Sequence, residues 1–287
     1  MKIFKHCAQT FFLFSLIILI GKNLYAQVEF IENKGQWDPR VKFMSKAGDG
    51  SFFLQEKGFT ISQYSSVDIE NITDKRHGIS TNNNIASRLT ANAKTLPDKV
   101  RSHSYSVEFL NANMAQIIPD KPIPTVNNYF IGNDKSKWAS GCKIYQGVTY
   151  KDIYPGIDLR YYVEAGSNLK YDFIVHPGAD FNKIAMKYSG TDKIDIKNKQ
   201  LNISTPLGKS KTLEPTTYQI INNERQEVDC RYSISGNVVK FKIKNYSPDQ
   251  TLIIDPTEIF FSYSGSTSDN WGFTATYGPD GSFMVEE

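Results

Sequence analysis

Short runs of alternating apolar and polar residues, rich in β-branched and aromatic side chains, recur from residue 51 to residue 254. A repeat of two is the signature of strands with one buried face. Residues 51–54 and 59–61 predict a hairpin with Gly58 near its turn. Residues 157–163 and 169–175 flank the linker 164–168, which holds Gly166, and predict a second hairpin. Further strands are predicted at 104–110, 184–188, 193–196, 201–204, 217–221, 228–234, 238–243 and 251–254. Turn chemistry separates the later ones: Pro177-Gly178, Ser189-Gly190, Asn222-Asn223, Ser235-Gly236-Asn237 and Ser247-Pro248-Asp249. No segment carries a long, capped pattern of period 3.6. The expected fold is mainly β, built of antiparallel β-sandwich-like modules.

Three stretches break the pattern and set the domain limits. Residues 11–21 (FFLFSLIILIG) are an apolar run preceded by Lys2 and Lys5 and followed by a polar stretch with a small residue at Ala26. This is a secretory signal peptide over 1–26, too short to span a bilayer comfortably; the alternative is an uncleaved N-terminal anchor. Between Tyr64 and Tyr105 there is no aromatic residue, and Asn82-Asn83-Asn84 lies inside the gap. Such a segment has little to bury against the cost of ordering its backbone. Residues 66–102 are therefore expected to be a polar mobile loop or insertion, with a short surface helix at 85–93 as the alternative. It separates an N-terminal β-hairpin unit (27–65) from an antiparallel domain (103–256). Pro256, which cannot donate to a ladder, closes that domain. Residues 257–287 then restart with aromatic strands around Pro279-Asp280-Gly281.

Charge narrows the choice of partner. The chain carries 33 Lys+Arg against 30 Asp+Glu. Lys2, Lys5 and Lys22 all leave with the signal, so the mature protein is close to neutral and lacks the basic footprint of a nucleic-acid binder. No second stretch approaches membrane-spanning length. Export places the protein outside the cytoplasm, secreted or on the cell surface, where Cys142 and Cys230 form a candidate disulfide; two buried unpaired thiols are the alternative.

Catalytic and metal signatures are missing. His77, His103 and His176 stand in no ligand spacing, and there is no GxSxG, Walker or GxGxxG motif. No cofactor is expected. Asp152, Asp158, Asp172 and Asp180 fall near strand ends, where ordinary turn chemistry competes with a Ca²⁺ site or a glycosidase carboxylate pair. The remaining candidates are aromatic. Trp138, Tyr145, Tyr150 and Tyr154 could form a contact surface for a glycan or surface protein, or they could be the packed face of a sheet. Adjacent Tyr161 and Tyr162 must point to opposite faces, so at least one should be core. Trp37 reads first as the anchor of its turn.

The tail "IFFSYSGSTSDNWGFTATYGPDGSF" resembles the opening of an SBBP repeat, a β-propeller-type repeat of bacterial surface proteins. The segments "FIENKGQWDPRVKF", "NYFIGNDKSKWASG", "VTYKDIYPGIDLRYY", "LKYDFIVHPGAD" and "LIIDPT" resemble the uncharacterised domain that precedes such repeats. In Bacteroidetes-type bacteria this resemblance implies a large surface protein, exported by a type IX system and carrying gliding-associated modules. It implies downstream propeller repeats as partners of this domain, and it carries no known activity. One strand–turn–strand unit cannot close a propeller. The chain is thus either the truncated head of such a protein or a domain with an unpaired tail. The function expected is a non-enzymatic structural, adhesive or recognition module; the alternative is a carbohydrate-active module that binds or hydrolyses glycans.

Overall fold

The computed structural model describes residues 29–47, 50–69, 72, 99–164 and 168–256, with short stretches at 258–259, 274–277 and 283–286. The segment 1–26 expected to be a signal peptide, most of the 66–102 segment (including the helix alternative at 85–93) and most of the tail lie outside these residues.

The chain opens with an antiparallel meander of β1 (Phe30–Glu32), β2 (Val41–Ala47), β3 (Gly50–Gln55) and β4 (Gly58–Tyr64). A helical turn follows at 66–69, and β5 (Ser102–Phe109) pairs back along β4. Gly58 has φ +156°, and a Cβ there would lie 2.0 Å from the Val107 carbonyl oxygen on β5. This is why the β3–β4 turn needs glycine. The long strands β6 (Gln116–Tyr129) and β7 (Ala139–Tyr154) form a hairpin that continues through β8 (Ile157–Glu164) and β9 (Asn168–Val175). Next come β10 (Met186–Ser189), β11 (Lys193–Lys197), β12 (Gln200–Thr205), β13 (Gly208–Thr212) and β14 (Thr216–Ile221). The last strands of the main body are β15 (Glu224–Glu227), β16 (Asp229–Ser235), β17 (Val238–Lys244) and β18 (Leu252–Asp255). Beyond Pro256 lie β19 (Glu258–Ile259), β20 (Thr274–Tyr277) and β21 (Phe283–Glu286).

Fifteen strands form one sheet in the order β15-β14-β18-β9-β8-β7-β1-β2-β3-β4-β5-β10-β17-β16, with β6 added along β7. Every pairing is antiparallel. The expectation of a mainly β, antiparallel protein holds, and no propeller is present among the described residues. The 27–65 and 103–256 regions share this one path, since β1 pairs with β7 and β4 with β5. The two ends of the path, β15 and β16, are consecutive strands separated by Val228 alone, so the sheet curls round until its edges meet. Four strands, β11-β12-β13-β19, form a smaller sheet, and β20 pairs with β21.

Curling brings distant strands of the path face to face. Phe52 on β3 lies 5.8 Å from the Tyr161 ring on β8, and Phe109 on β5 lies 5.9 Å from Phe173 on β9. Phe173 also meets Phe241 on β17. This interior is the main core, and alternate residues of nearly every long strand enter it. A second, smaller core lies where β6 covers β1, β2 and β7. It holds Ile31, Trp37, Val41, Met44, Phe53, Cys142 and Ile144, flanked by Ile123 and Tyr129.

The candidate disulfide is not formed: Cys142 and Cys230 are both free and buried. They belong to different cores, Cys142 to the smaller and Cys230 to the larger. Burial pushes the Cys230 thiol up to about 11, so it acts as an inert small apolar residue.

Candidate functional site

The loop between β1 and β2 is organised by one side chain. Asn33 Nδ2 donates to the carbonyls of Asp38 (2.9 Å) and Val41 (2.8 Å), while Oδ1 accepts from the Gly35 amide at 3.0 Å. This Asn-centred turn presents Trp37 to the smaller core, edge-on to Tyr129 at 5.2 Å and to Phe53 at 6.4 Å. Trp37 is the turn anchor its sequence setting suggested. Tyr129 at the end of β6 ties the long hairpin to this base.

Beyond that base no further described strand pairs with the hairpin. β1 pairs with β7 at Tyr145 and Ile144, whereas β6 follows β7 out to Tyr129 opposite Ala139. Residues 130–138 form the tip. Asp134 caps a 3-10 turn, Lys135–Lys137, by accepting from the Ser136 amide at 3.0 Å and its hydroxyl at 2.6 Å. Trp138 Nε1 donates to the Gly132 carbonyl at 3.2 Å and fixes the indole. Phe130 stands edge-on to Trp138 at 5.7 Å, and Lys135 Nζ lies 5.7 Å from the same ring. Phe130, Ile131 and Trp138 remain 59%, 43% and 38% exposed. An ordered turn that holds three large apolar side chains in solvent has the composition of a contact anchor.

The four aromatic candidates therefore separate. Trp138 sits at this tip. Tyr145 is partly buried against Phe43, rings 6.0 Å apart. Tyr150 and Tyr154 are not contact residues: both are core, at 2% and 1% exposure. Burial pushes the Tyr150 hydroxyl up and that of Tyr154 up to about 12. Tyr154 backs a cleft of about 480 Å³, but its hydroxyl is turned to the Ala185 backbone at 3.4 Å. The sequence signal for the tip was present in Phe130 and Ile131, two apolar residues beside Gly132 where the chain turns.

The aspartates also separate. Asp180 caps the 3-10 turn Phe181–Lys183. Asp158 is buried near the start of β8, beside the β7–β8 turn. It accepts from Lys151 Nζ and, at 2.9 Å, from the Asp152 amide, and His176 Nε2 lies 2.9 Å from it. Burial raises its carboxyl, but these partners together outweigh burial and hold it below the usual range. The Lys151-Asp152…Gly156…Asp158 pattern thus builds a turn. Asp152 takes φ +53° and Gly156 φ +71°, and Asp152 Oδ1 accepts from the Gly156 amide at 3.2 Å. His176, which stands in no ligand spacing in the sequence, is a member of this node. His103 Nε2 lies 2.6 Å from the Gly190 carbonyl; His77 lies outside the described residues. Among the described residues no group of three or more His, Cys, Asp or Glu side chains is placed to hold a metal ion.

Asp172 differs from the others. It lies on the outer face of β9, beside Arg160 in the β8 register, and accepts from the Tyr162 hydroxyl at 3.3 Å. Desolvation, and then the charge of Asp255 on β18, push its carboxyl up to about 7. Asp255 itself is paired with Lys170 at 3.3 Å. A carboxyl raised in the folded state favours folding only while it is protonated. Stability is therefore lost as pH climbs from about 4 to about 7 and is flat above. Asp172→Asn keeps the acceptor for Tyr162 and removes the charge. It is expected to raise stability by on the order of 2 kcal/mol at pH 8 and to change it little at pH 4. Thermal melts at the two pH values check this; an equal effect at both would refute the assignment.

A family model described as "Domain of unknown function (DUF7948)" matches residues 30–257. The chain belongs to this family. No curated protein and no solved structure matches it. The limits of the DUF7948 match fall at Phe30, the first residue of β1, and just past Pro256. They enclose the curled sheet and the Pro256 boundary read from the sequence.

Proposed function

We propose that this DUF7948 chain is a non-catalytic recognition module of an exported surface protein, and that the β6–β7 hairpin tip docks a protein partner at the cell surface. The observation that supports this is the ordered apolar tip of Phe130, Ile131 and Trp138. Lys135 and Lys137 rim it against a single carboxylate, Asp134, which suits an acidic partner surface. Export rests on the signal peptide of residues 1–26. The setting ahead of SBBP-type repeats, in a type IX-exported, gliding-associated protein, rests on the sequence of the tail. The antiparallel pairing of β20 with β21 is compatible with the strand–turn–strand opening of such a repeat.

The test uses labelled mature chain on washed cells of the producing bacterium. A Phe130→Ser/Trp138→Ser variant should retain its melting temperature and lose cell binding at least about tenfold, since truncated aromatic anchors typically cost 2 kcal/mol or more. Protease treatment of the cells should abolish binding of the native chain. Undiminished binding by the variant would overturn the proposal, and loss of binding after periodate but not protease would assign the tip to a glycan.

A carbohydrate-active reading draws on one observation, the Asp172 carboxyl raised beside Asp255, because a protonated acid near an ionised carboxylate is the pairing glycosidases use. Here, however, Asp255 is held by Lys170, and neither aspartate lines the two clefts found at Tyr154 and at Gln63. The recognition reading is therefore preferred.

A further inference from the structure

Lys170 on β9 and Asp255 on β18 form the most secluded ion pair among the described residues. Their side chains are each 13% exposed, with Nζ 3.3 Å from Oδ2. In every other described ion pair the cation is at least 32% exposed. Secluding both charges is costly, and their mutual attraction offsets that cost only in part. A third ionisable group stands at the same point. Ile254 pairs with Phe173 across the β9–β18 ladder, so Asp255 stands opposite Asp172 on the outer face. Lys170, two residues before Asp172 on that face, reaches Asp255 along the diagonal. Tyr162 donates to Asp172 Oδ1 at 3.3 Å, which leaves Oδ2 to carry a proton. Arg160, the register neighbour of Asp172, is taken up by Asp120 at 2.8 Å.

A lysine, an aspartate and a protonated carboxyl in one sheltered place are the parts from which a chain can make its own amide. Seclusion favours transfer of the Lys170 proton to Asp255, because the neutral pair does without water. The result is a nucleophilic amine held against a carboxylic acid. Desolvation, and then the charge of Asp255, push the Asp172 carboxyl up to about 7, so a large share of it is protonated at neutral pH and available to move a proton. We propose that Lys170 and Asp255 join in an intramolecular isopeptide bond, with Asp172 as the proton carrier. Lys170 Nζ attacks Asp255 Cγ and forms the C–N bond. A proton of Nζ passes through the Asp172 carboxyl to the Asp255 hydroxyl, the C–O bond breaks and one water leaves. Asp172 ends with its proton restored, and no oxidant or other reactant is consumed. The bond ties β18, the last strand before Pro256, to β9 and links residues 85 positions apart. It restricts the unfolded chain as a disulfide would, a link that Cys142 and Cys230 do not supply. This site is independent of the proposal for the hairpin tip.

Mass spectrometry of the folded mature chain, denatured just before measurement, tests it. The intact mass is expected to fall short of the sequence mass by one water. A tryptic map should contain a branched peptide that joins Lys170 to Asp255 and is uncut at Lys170. Lys170→Arg keeps the ion pair but cannot form the amide, and Asp172→Ala keeps both reactants without the proton carrier. Each should show the full sequence mass and still melt cooperatively; Asp172→Asn takes the place of Asp172→Ala if the latter fails to fold. The hairpin-tip variant should be linked like the native chain. Because the amide removes the Asp255 charge, the Asp172→Asn melts described above belong in the Lys170→Arg background. A folded native chain of full sequence mass, a water lost at any other position, or a link that persists without the Asp172 carboxyl would each overturn the proposal.

Discussion

Tyr161→Ala is expected to cost about 3–5 kcal/mol, a large share of the ~5–15 kcal/mol that an ordinary domain has. The reason is position. Tyr161 is 1% exposed and sits where the two arms of the curled sheet meet. Its ring contacts Phe52 (5.8 Å) and Phe59 (6.5 Å) on one arm, and Tyr150 (5.7 Å) and Tyr171 (5.9 Å) on the other. Truncation would empty a volume bounded by four rings that belong to four strands, and a sheet closed on itself has little freedom to collapse into it. Tyr162→Ala is the matched control. One residue on, the side chain points to the outer face, where it lies over the Arg160 guanidinium at 5.4 Å, and its loss should cost about 1 kcal/mol. Urea melts of the two variants check the difference. Equal losses would mean that the arms are not held together through this cluster.

The Tyr161–Tyr162 pair also shows what a sequence reader can obtain. The pleat alone dictates that the two rings face opposite ways. Strands with one buried face were legible for the same reason: β8, β9, β12, β17 and β18 alternate clearly, and their turns carry Gly, Asn or Pro, whereas β3 and β4, buried on both faces, were legible from their aromatic and β-branched residues around Gly58. Several of the strands that escaped have no such contrast. β15 reads Glu-Arg-Gln-Glu and β13 Gly-Lys-Ser-Lys-Thr, too polar to register as period two. β6 contains Pro119, Pro122 and Pro124, which argue against a strand unless one side of it is unpaired; β6 pairs with β7 alone, and that is why it tolerates them. Long-range closure was invisible, because nothing local says that β15 and β16 end one continuous path. The same limit governed the sites. Density of tyrosines at 145–154 looks alike whether the face is core or solvent, and only the curl of the sheet decides that Tyr150 and Tyr154 are inside while Trp138 is out. The Lys170–Asp255 pair joins residues 85 positions apart in sequence and left no local trace at all.

The Asp158 node extends the point from packing to charge, and it makes the second large prediction. Asp158→Asn should destabilise the chain by about 2–3 kcal/mol at pH 7. The carboxylate is 3% exposed, whereas Lys151 and His176 are 46% and 43% exposed. The two cations can regain water when the charge is lost, which keeps the cost below that of a fully buried pair. What they cannot replace is the ordering of the β7–β8 connection, where Asp152 and Gly156 hold left-handed conformations under the hydrogen bond from the Asp152 amide to Asp158. The sign of the pH dependence follows from the direction of the shift. The folded carboxyl lies below its unfolded value of 3.8. Its contribution is therefore complete above that value and is lost as pH falls through the lower, folded one. The gap between native and Asp158→Asn stability should accordingly be full at pH 7 and shrink markedly by about pH 3. This is opposite in direction to Asp172, whose raised carboxyl costs stability at neutral pH. Denaturant melts of both single variants across this range separate the two carboxylates. A native-minus-Asp158→Asn gap that stays constant down to pH 3 would show that the node acts through shape alone and not through its charge.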